Sequence, residues 1–257
     1  MTIKKGRARS NDASCNDNFL RTCLDAEVNP RLVRDKENIS INGVDLQLKS
    51  TVEPNGLVYK NDEGDEAIIT VNPRTGNMFG SIKTHDGKSY SIEKGQNGYV
   101  WKDFETRSFK PEIPERTTEQ EDLSKQKLVE QGAKDTTTVV TYSSMIYYTP
   151  DFASVTPDIE GWVDQVLAET NQGYINSLIP VRITKLCIEQ ATINDNDIQD
   201  LGTFRRMKGT DSALRNTADS AFLLTVRLPG YCGVAYLSTF DKYVDYLVVQ
   251  SLWLFTF

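Results

Sequence analysis

Histidine is almost missing from this chain: His85 is the only one in 257 residues. A centre that grips a metal with two or more imidazoles therefore cannot be assembled from these residues. Cysteine is scarce as well, and Cys15, Cys23, Cys187 and Cys232 contain no Cys-x-x-Cys pair, which excludes a zinc finger. Their pairing stays open. Cys15 with Cys23 would close a short loop, Cys232 would join Cys187 or a cysteine elsewhere, or the thiols remain reduced and buried. Long apolar runs are lacking too. The final twelve residues are nearly all apolar, but a bilayer takes about twenty, so no membrane span is expected. Basic residues are outnumbered, 29 Lys and Arg against 36 Asp and Glu, for a net charge of -7. A chain with a pI near 4.9 does not displace the counterions of a phosphate backbone, so nucleic acid is set aside as a partner. The basic start, Met1 to Ser10, is followed by no apolar h-region, so no signal peptide is read there.

What is present reads as globular: 39% hydrophobic and 25% charged residues, enough chain for one large or two small domains. Residues 1–38 are polar and broken by Asn11, Asp12, Asn16, Asp17 and Asn18, which predicts an irregular arm with one short helix near Phe19 to Ala26. Residues 39–109 alternate short apolar runs, such as Val44-Asp-Leu-Gln-Leu48 and Ala67-Ile-Ile-Thr-Val71, with turn signals such as Pro54-Asn-Gly56, Asp86-Gly87 and Gln96-Asn-Gly98. Asn-Gly and Asp-Gly tolerate positive φ, so the segment predicts an antiparallel sheet or small barrel. Residues 110–135 join prolines to a charged run and read as a linker. From residue 136 strands and helices alternate. Thr137 to Tyr142, Val181 to Ile188 and Ala221 to Arg227 are the strands, and Thr156-Pro157 caps a helix with Ile159, Trp162, Val163, Val166, Leu167 and Tyr174 on one side. A second, polar helix is expected between Asp195 and Arg215. That order predicts right-handed crossovers and a largely parallel sheet.

Two stretches carry a likeness: Val166-Leu-Ala-Glu-Thr-Asn-Gln-Gly-Tyr-Ile-Asn176 and Gly230-Tyr-Cys-Gly-Val-Ala-Tyr-Leu237. They resemble the reprolysin-like branch of the metzincin zinc endopeptidases over residues 137–239. More loosely, Gly80-Ser-Ile-Lys-Thr-His-Asp-Gly-Lys-Ser-Tyr-Ser-Ile92 resembles a hairpin of that family's inhibitory propeptide. The resemblance implies a mixed α+β chain. A β-rich propeptide-like domain (39–109) would precede, across a linker, the N-terminal part of a three-layer α/β protease domain (136–240). It further implies an extracellular zymogen whose propeptide is removed near the linker, and an antiparallel edge strand, Gly233, Val234, Ala235 and Tyr236, to which a polypeptide substrate adds as another strand. In the complete family member a His-Glu-x-x-His-x-x-Gly-x-x-His helix holds zinc, and its Glu is the general base on metal-bound water. That motif is absent here. Residues 241–257 diverge from the family into an apolar tail, as though the chain were truncated before the zinc helix, so no zinc and no peptide hydrolysis are expected of it. The alternative is a non-catalytic binding or inhibitory module that keeps affinity for a protease cleft or a peptide. No cysteine lies between Ile39 and Lys134, which excludes a thiol switch from that segment.

Other candidates are bland. Asp151, Asp158, Glu160 and Asp164 read as a solvated acidic face at a helix N-terminus, where the dipole favours negative charge. Asp195, Asp197 and Asp200 lack the glycine and terminal Glu of a calcium loop and read as helix caps. His85 reads as an exposed turn residue with no serine nucleophile in context.

Overall fold

Turn dipeptides set the rhythm of the first half. The computed structural model describes residues 2–15, 20–29, 37–104, 138–195, 218–226, 233–236 and 245–250. Strands β3 (Asn38–Ile41), β4 (Val44–Val52), β5 (Gly56–Lys60), β6 (Glu66–Val71), β7 (Met78–Lys83), β8 (Ser89–Lys94) and β9 (Tyr99–Phe104) each pair antiparallel with the next. The segment expected to be an irregular arm supplies two more strands. β2 (Leu20–Glu27), not a helix, lies antiparallel to β9, and β1 (Thr2–Arg9) runs antiparallel to β2 and parallel to β3. The result is a closed nine-stranded barrel in the order β1-β2-β9-β8-β7-β6-β5-β4-β3. Closure leaves no free edge to pair with another chain. Asp12, read as a breaker, is buried and its Oδ2 accepts from the Gln96 backbone N–H at 2.6 Å. The Cys15–Cys23 disulfide ties the same segment to β2.

Side chains alternate across the wall of the barrel, as the two-residue period of a strand requires. Tyr59, Ala67, Ile69, Met78, Ile82, Ile92 and Trp101 point inward and form one apolar cluster with Ile3, Ile39, Ile41 and Leu46. Their neighbours Val58, Ile68, Thr70, Phe79 and Ser81 point outward, yet they are buried as well. A second layer therefore covers the outside of β5, β6 and β7.

That layer is a helix. After β10 (Val140–Tyr148) come α1 (Pro150–Val155) and α2 (Ile159–Asn176), then β11 (Val181–Gln190), β12 (Ser220–Thr225), β13 (Gly233–Tyr236) and β14 (Asp245–Gln250). The caps differ from expectation. Thr149 caps α1, Thr156 closes it, and Asp158 caps α2 by accepting from the Gly161 N–H at 3.0 Å. The strands form a second sheet, β11-β10-β12-β14-β13, in which β10–β11, β10–β12 and β12–β14 are parallel and β13–β14 antiparallel.

The mixed α+β reading with a three-layer α/β second half is therefore corrected. The described residues are mostly sheet, a closed barrel plus a five-stranded sheet, with two α-helices. The reading failed because the barrel recruits the first strands through pairings distant in sequence, which local pattern does not reveal. The expected helix after Asp195 and the linker at 110–135 lie outside the described residues. Strand β14 falls within the segment expected to diverge. No helix among the described residues is long and apolar enough to cross a membrane.

Candidate functional site

The residues expected to receive a peptide, Gly233, Val234, Ala235 and Tyr236, are strand β13, outermost in the sheet order among the described residues. They pair with β14 in the register Gly233–Val249, Val234–Val248, Ala235–Leu247 and Tyr236–Tyr246. In an antiparallel pair successive residues turn their N–H and C=O groups alternately toward the partner and away from it. Half of the β13 backbone groups thus turn to the side opposite β14, which is the chemistry that accepts an added strand. Gly230 to Cys232 and Leu237, the remainder of the matched stretch, lie outside the described residues.

The zinc site of the resembled family takes more than one imidazole, and this chain has one histidine. His85 stands in the turn between β7 and β8, exposed as expected, with Nδ1 2.9 Å from Asp65 Oδ1. Glu63, Asp65 and His85 bring ligand atoms within 4.8 Å of one another, but one imidazole is all they offer, and they belong to the barrel rather than to the sheet that carries β13. Asp65 is already engaged. Its carboxylate also accepts from the His85 backbone N–H at 2.8 Å and from Asn61 Nδ2 at 2.8 Å. The backbone bond from His85 holds the Asp65 pKa below the usual range, and the side-chain bond to Asp65 raises that of His85. The cluster fastens two turns together.

The acidic residues near the start of α2 are the feature sequence reasoning misread. Asp158 and Asp164 are buried, 6% and 2% exposed, not solvated. Besides capping α2, Asp158 accepts from Asn72 Nδ2 at 2.8 Å, Thr75 Oγ1 at 2.5 Å and Asn77 Nδ2 at 2.8 Å, all on the β6–β7 turn of the barrel. Burial works to raise its pKa, but the bonds from Thr75, Gly161, Asn77 and Asn72 outweigh it and leave the carboxyl below its ordinary value. Asp164 bonds to Lys185 of β11 on one side and accepts from Asn55 of the barrel at 3.3 Å on the other. Burial wins there, only partly offset by Lys185, and its pKa is raised. Glu160 reaches Lys185 and Arg74. Asp151 accepts from the Asp195 N–H, and the buried Asp195 carboxylate accepts from Thr149 Oγ1 and the Val226 N–H. Asp195 thus ties α1 to the end of β12. Asp197 and Asp200 lie outside the described residues.

Farther along α2, Gln165 spans the seam. Its Oε1 accepts from Thr70 Oγ1 at 2.9 Å, and its Nε2 donates to the Ile68 carbonyl at 2.9 Å and to Glu169 Oε1 at 2.7 Å. Asn171 does the same between the Glu53 carbonyl of the barrel and the backbone of Ile183 in β11. The polar row on α2 therefore joins barrel to sheet, a task an Asn or Gln amide performs with donor and acceptor at once. Burial pushes the Glu169 carboxyl up to about 7, against bonds from Gln165 and Ser81 and the pull of Lys83, with Glu93 adding repulsion. Glu93 is itself paired with Lys102 at 2.7 Å.

Two outcomes follow from this geometry. Asp158→Ala removes a cap and three bonds to the barrel, leaving their donors unsatisfied, and should lower the unfolding free energy by about 2–4 kcal/mol in denaturant titration; a loss no larger than that of an ordinary cap would contradict the bridging role. Glu169, with a folded pKa above that of the unfolded carboxyl, adds stability that is complete below pH 4.5 and fades as pH rises through 7. Glu169→Gln should therefore raise stability at pH 8 by about 1–3 kcal/mol and change little near pH 4. Thermal melts at the two pH values check it, and an equal effect at both would refute it.

No protein-family model matches this chain, and no curated protein matches it. Among solved structures it is similar to metalloproteinase-II from Bacteroides fragilis, with a TM-score of 0.44 and 11% identity over 83% of this chain and 74% of that one. It is also similar to a structure of a chaperone–substrate complex, with a TM-score of 0.34 and 15% identity over 42% of this chain. The chain spans 20% of the length of that second protein.

Proposed function

We propose that the chain is related to the reprolysin-like zinc endopeptidase precursors, its barrel corresponding to their propeptide and its second sheet to a protease-like unit. In this reading its own residues bind extended polypeptide at β13 and do not hydrolyse it. The observation that carries the reading is the position of Gly233, Val234, Ala235 and Tyr236. They lie in the stretch that resembles the family's substrate strand, and among the described residues they form the outermost, antiparallel member of a sheet whose other pairings are parallel. The absence of hydrolysis rests on the donor set: one histidine cannot supply the paired imidazoles of the family's zinc site. An extracellular setting is part of the proposal and draws support from the Cys15–Cys23 disulfide, a bond that persists in oxidising compartments.

Two measurements test it. The purified chain, given casein and zinc, should show no cleavage that a chelator abolishes; chelator-sensitive hydrolysis would sink the non-catalytic reading. A fluorescent, unstructured peptide should bind saturably, and Val234→Pro and Ala235→Pro should differ. One of them removes an N–H directed at β14 and lowers stability, while the other removes an outward N–H and abolishes binding in a chain of unchanged stability. Binding that survives both substitutions would place the peptide elsewhere.

A further inference from the structure

Helix α2 and the barrel wall meet closely at two glycines. A Cβ on Gly161 of α2 would stand 2.4 Å from Cε2 of Phe79, and one on Gly56 of β5 would stand 2.9 Å from Cβ of Ala168 and 2.6 Å from Cγ1 of Val52. Each glycine belongs to one side of the seam and yields to a side chain from the other. Around them the apolar clusters disregard the division between barrel and sheet. Phe79 and Phe104 of the barrel pack with Ile146, Phe152, Trp162, Val163, Val166, Leu167 and Leu224, while Val52, Val58 and Ile68 pack with Ala168. The polar atoms between them are matched across the same seam by Asp158, Asp164, Gln165 and Asn171. Gln96 adds a bond to the Ser154 carbonyl of α1. An interface with an apolar centre, bonded polar groups and close backbone approach has the make-up of a stable protein–protein contact.

We propose that the outer wall of the barrel and α2 are a docking surface for each other, and that residues 2–104 and 138–250 hold together with no covalent connection between them. The inference rests on this seam alone and not on the endopeptidase reading. The partner of the α2 surface is thus the chain's own barrel, which remains as a subunit when the connection is cut. The seat of the barrel and the β13 edge are also separate. α2 packs on β11, at one end of the sheet order, and β13 is at the other. Scission therefore neither releases the barrel nor alters the β13 edge.

The test uses the full chain with the recognition sequence of a site-specific protease placed within residues 110–127. After cutting, the two pieces should elute together from a sizing column at low micromolar concentration, at the volume of the uncut 29.0 kDa chain, and unfold in one transition. A covalent connection supplies an effective concentration up to the order of millimolar, so Gly161→Val, which drives a side chain into Phe79, should be tolerated uncut and should separate once cut. If Gly161→Val does not fold uncut, Gly161→Ala and Gln165→Ala probe the same seam more gently. Wild-type pieces that elute apart would overturn the proposal. So would cut seam variants that co-elute as firmly as the cut wild type, because another surface would then hold the pieces.

Discussion

Helix α2 packs on the barrel wall so closely that Gly161 and Gly56 have no room for a Cβ, and most of what distinguishes this chain follows from that contact. An ordinary small barrel shows solvent the outer half of each strand, and its sequence alternates accordingly. Here β6 and β7 are buried on both faces, so Ile68, Thr70, Phe79 and Ser81 are as enclosed as the lumen residues between them. Burying Phe79, Phe104, Phe152 and Trp162 together contributes at roughly 1.5–3 kcal/mol per side chain. Phe79 and Phe104 come from the barrel and Phe152 and Trp162 from the helices, so the cluster draws on both sides of the contact.

The same contact explains why charge is admitted to the interior. Carboxylates withdrawn from water are costly unless hydrogen-bonded or paired, and the buried Asp158 and Asp164 and the half-buried Glu169 each meet that condition in their own way. Asp158 is surrounded by donors and its pKa falls; Asp164 has a lysine and an amide and its pKa still rises; Glu169 has mainly neutral partners and its pKa rises to about 7. Two acids of α2 and the aspartate that caps it thus respond to pH in different senses. The polar row gives the contact a single register, since shifting α2 by one turn along the barrel would strand the amides of Gln165 and Asn171 without partners.

Much of the barrel was legible in the sequence because its strands are joined by turns whose residues announce themselves: in Pro54-Asn-Gly56 the asparagine stands at φ 56°, and in Asp86-Gly87 the glycine stands at φ 79°. The apolar side of α2 was legible as well, since Trp162, Val163, Val166 and Leu167 recur at helical spacing. What was not legible involves partners far along the chain. β2 carries no strong strand signal and is ordered by β9; Asp158 meets Asn72 across 86 residues and Asp164 meets Asn55 across 109. Read locally, a cluster of acids at a helix start looks solvated, and only the barrel beneath it reverses that. For β13 the sequence offered a resemblance, and the structure adds its pairing and its outermost position among the described residues.

Hydrogen exchange on the intact chain addresses the central claim most directly, because amide protection reports which segments open together. If α2 and the barrel wall are one packed body, the amides from Trp162 to Ala168 and those of β6 and β7 should exchange with the same slow rate and the same dependence on denaturant. Fast exchange in α2 while β6 and β7 remain protected would contradict it, showing the helix to be a passenger on the barrel and not part of its core.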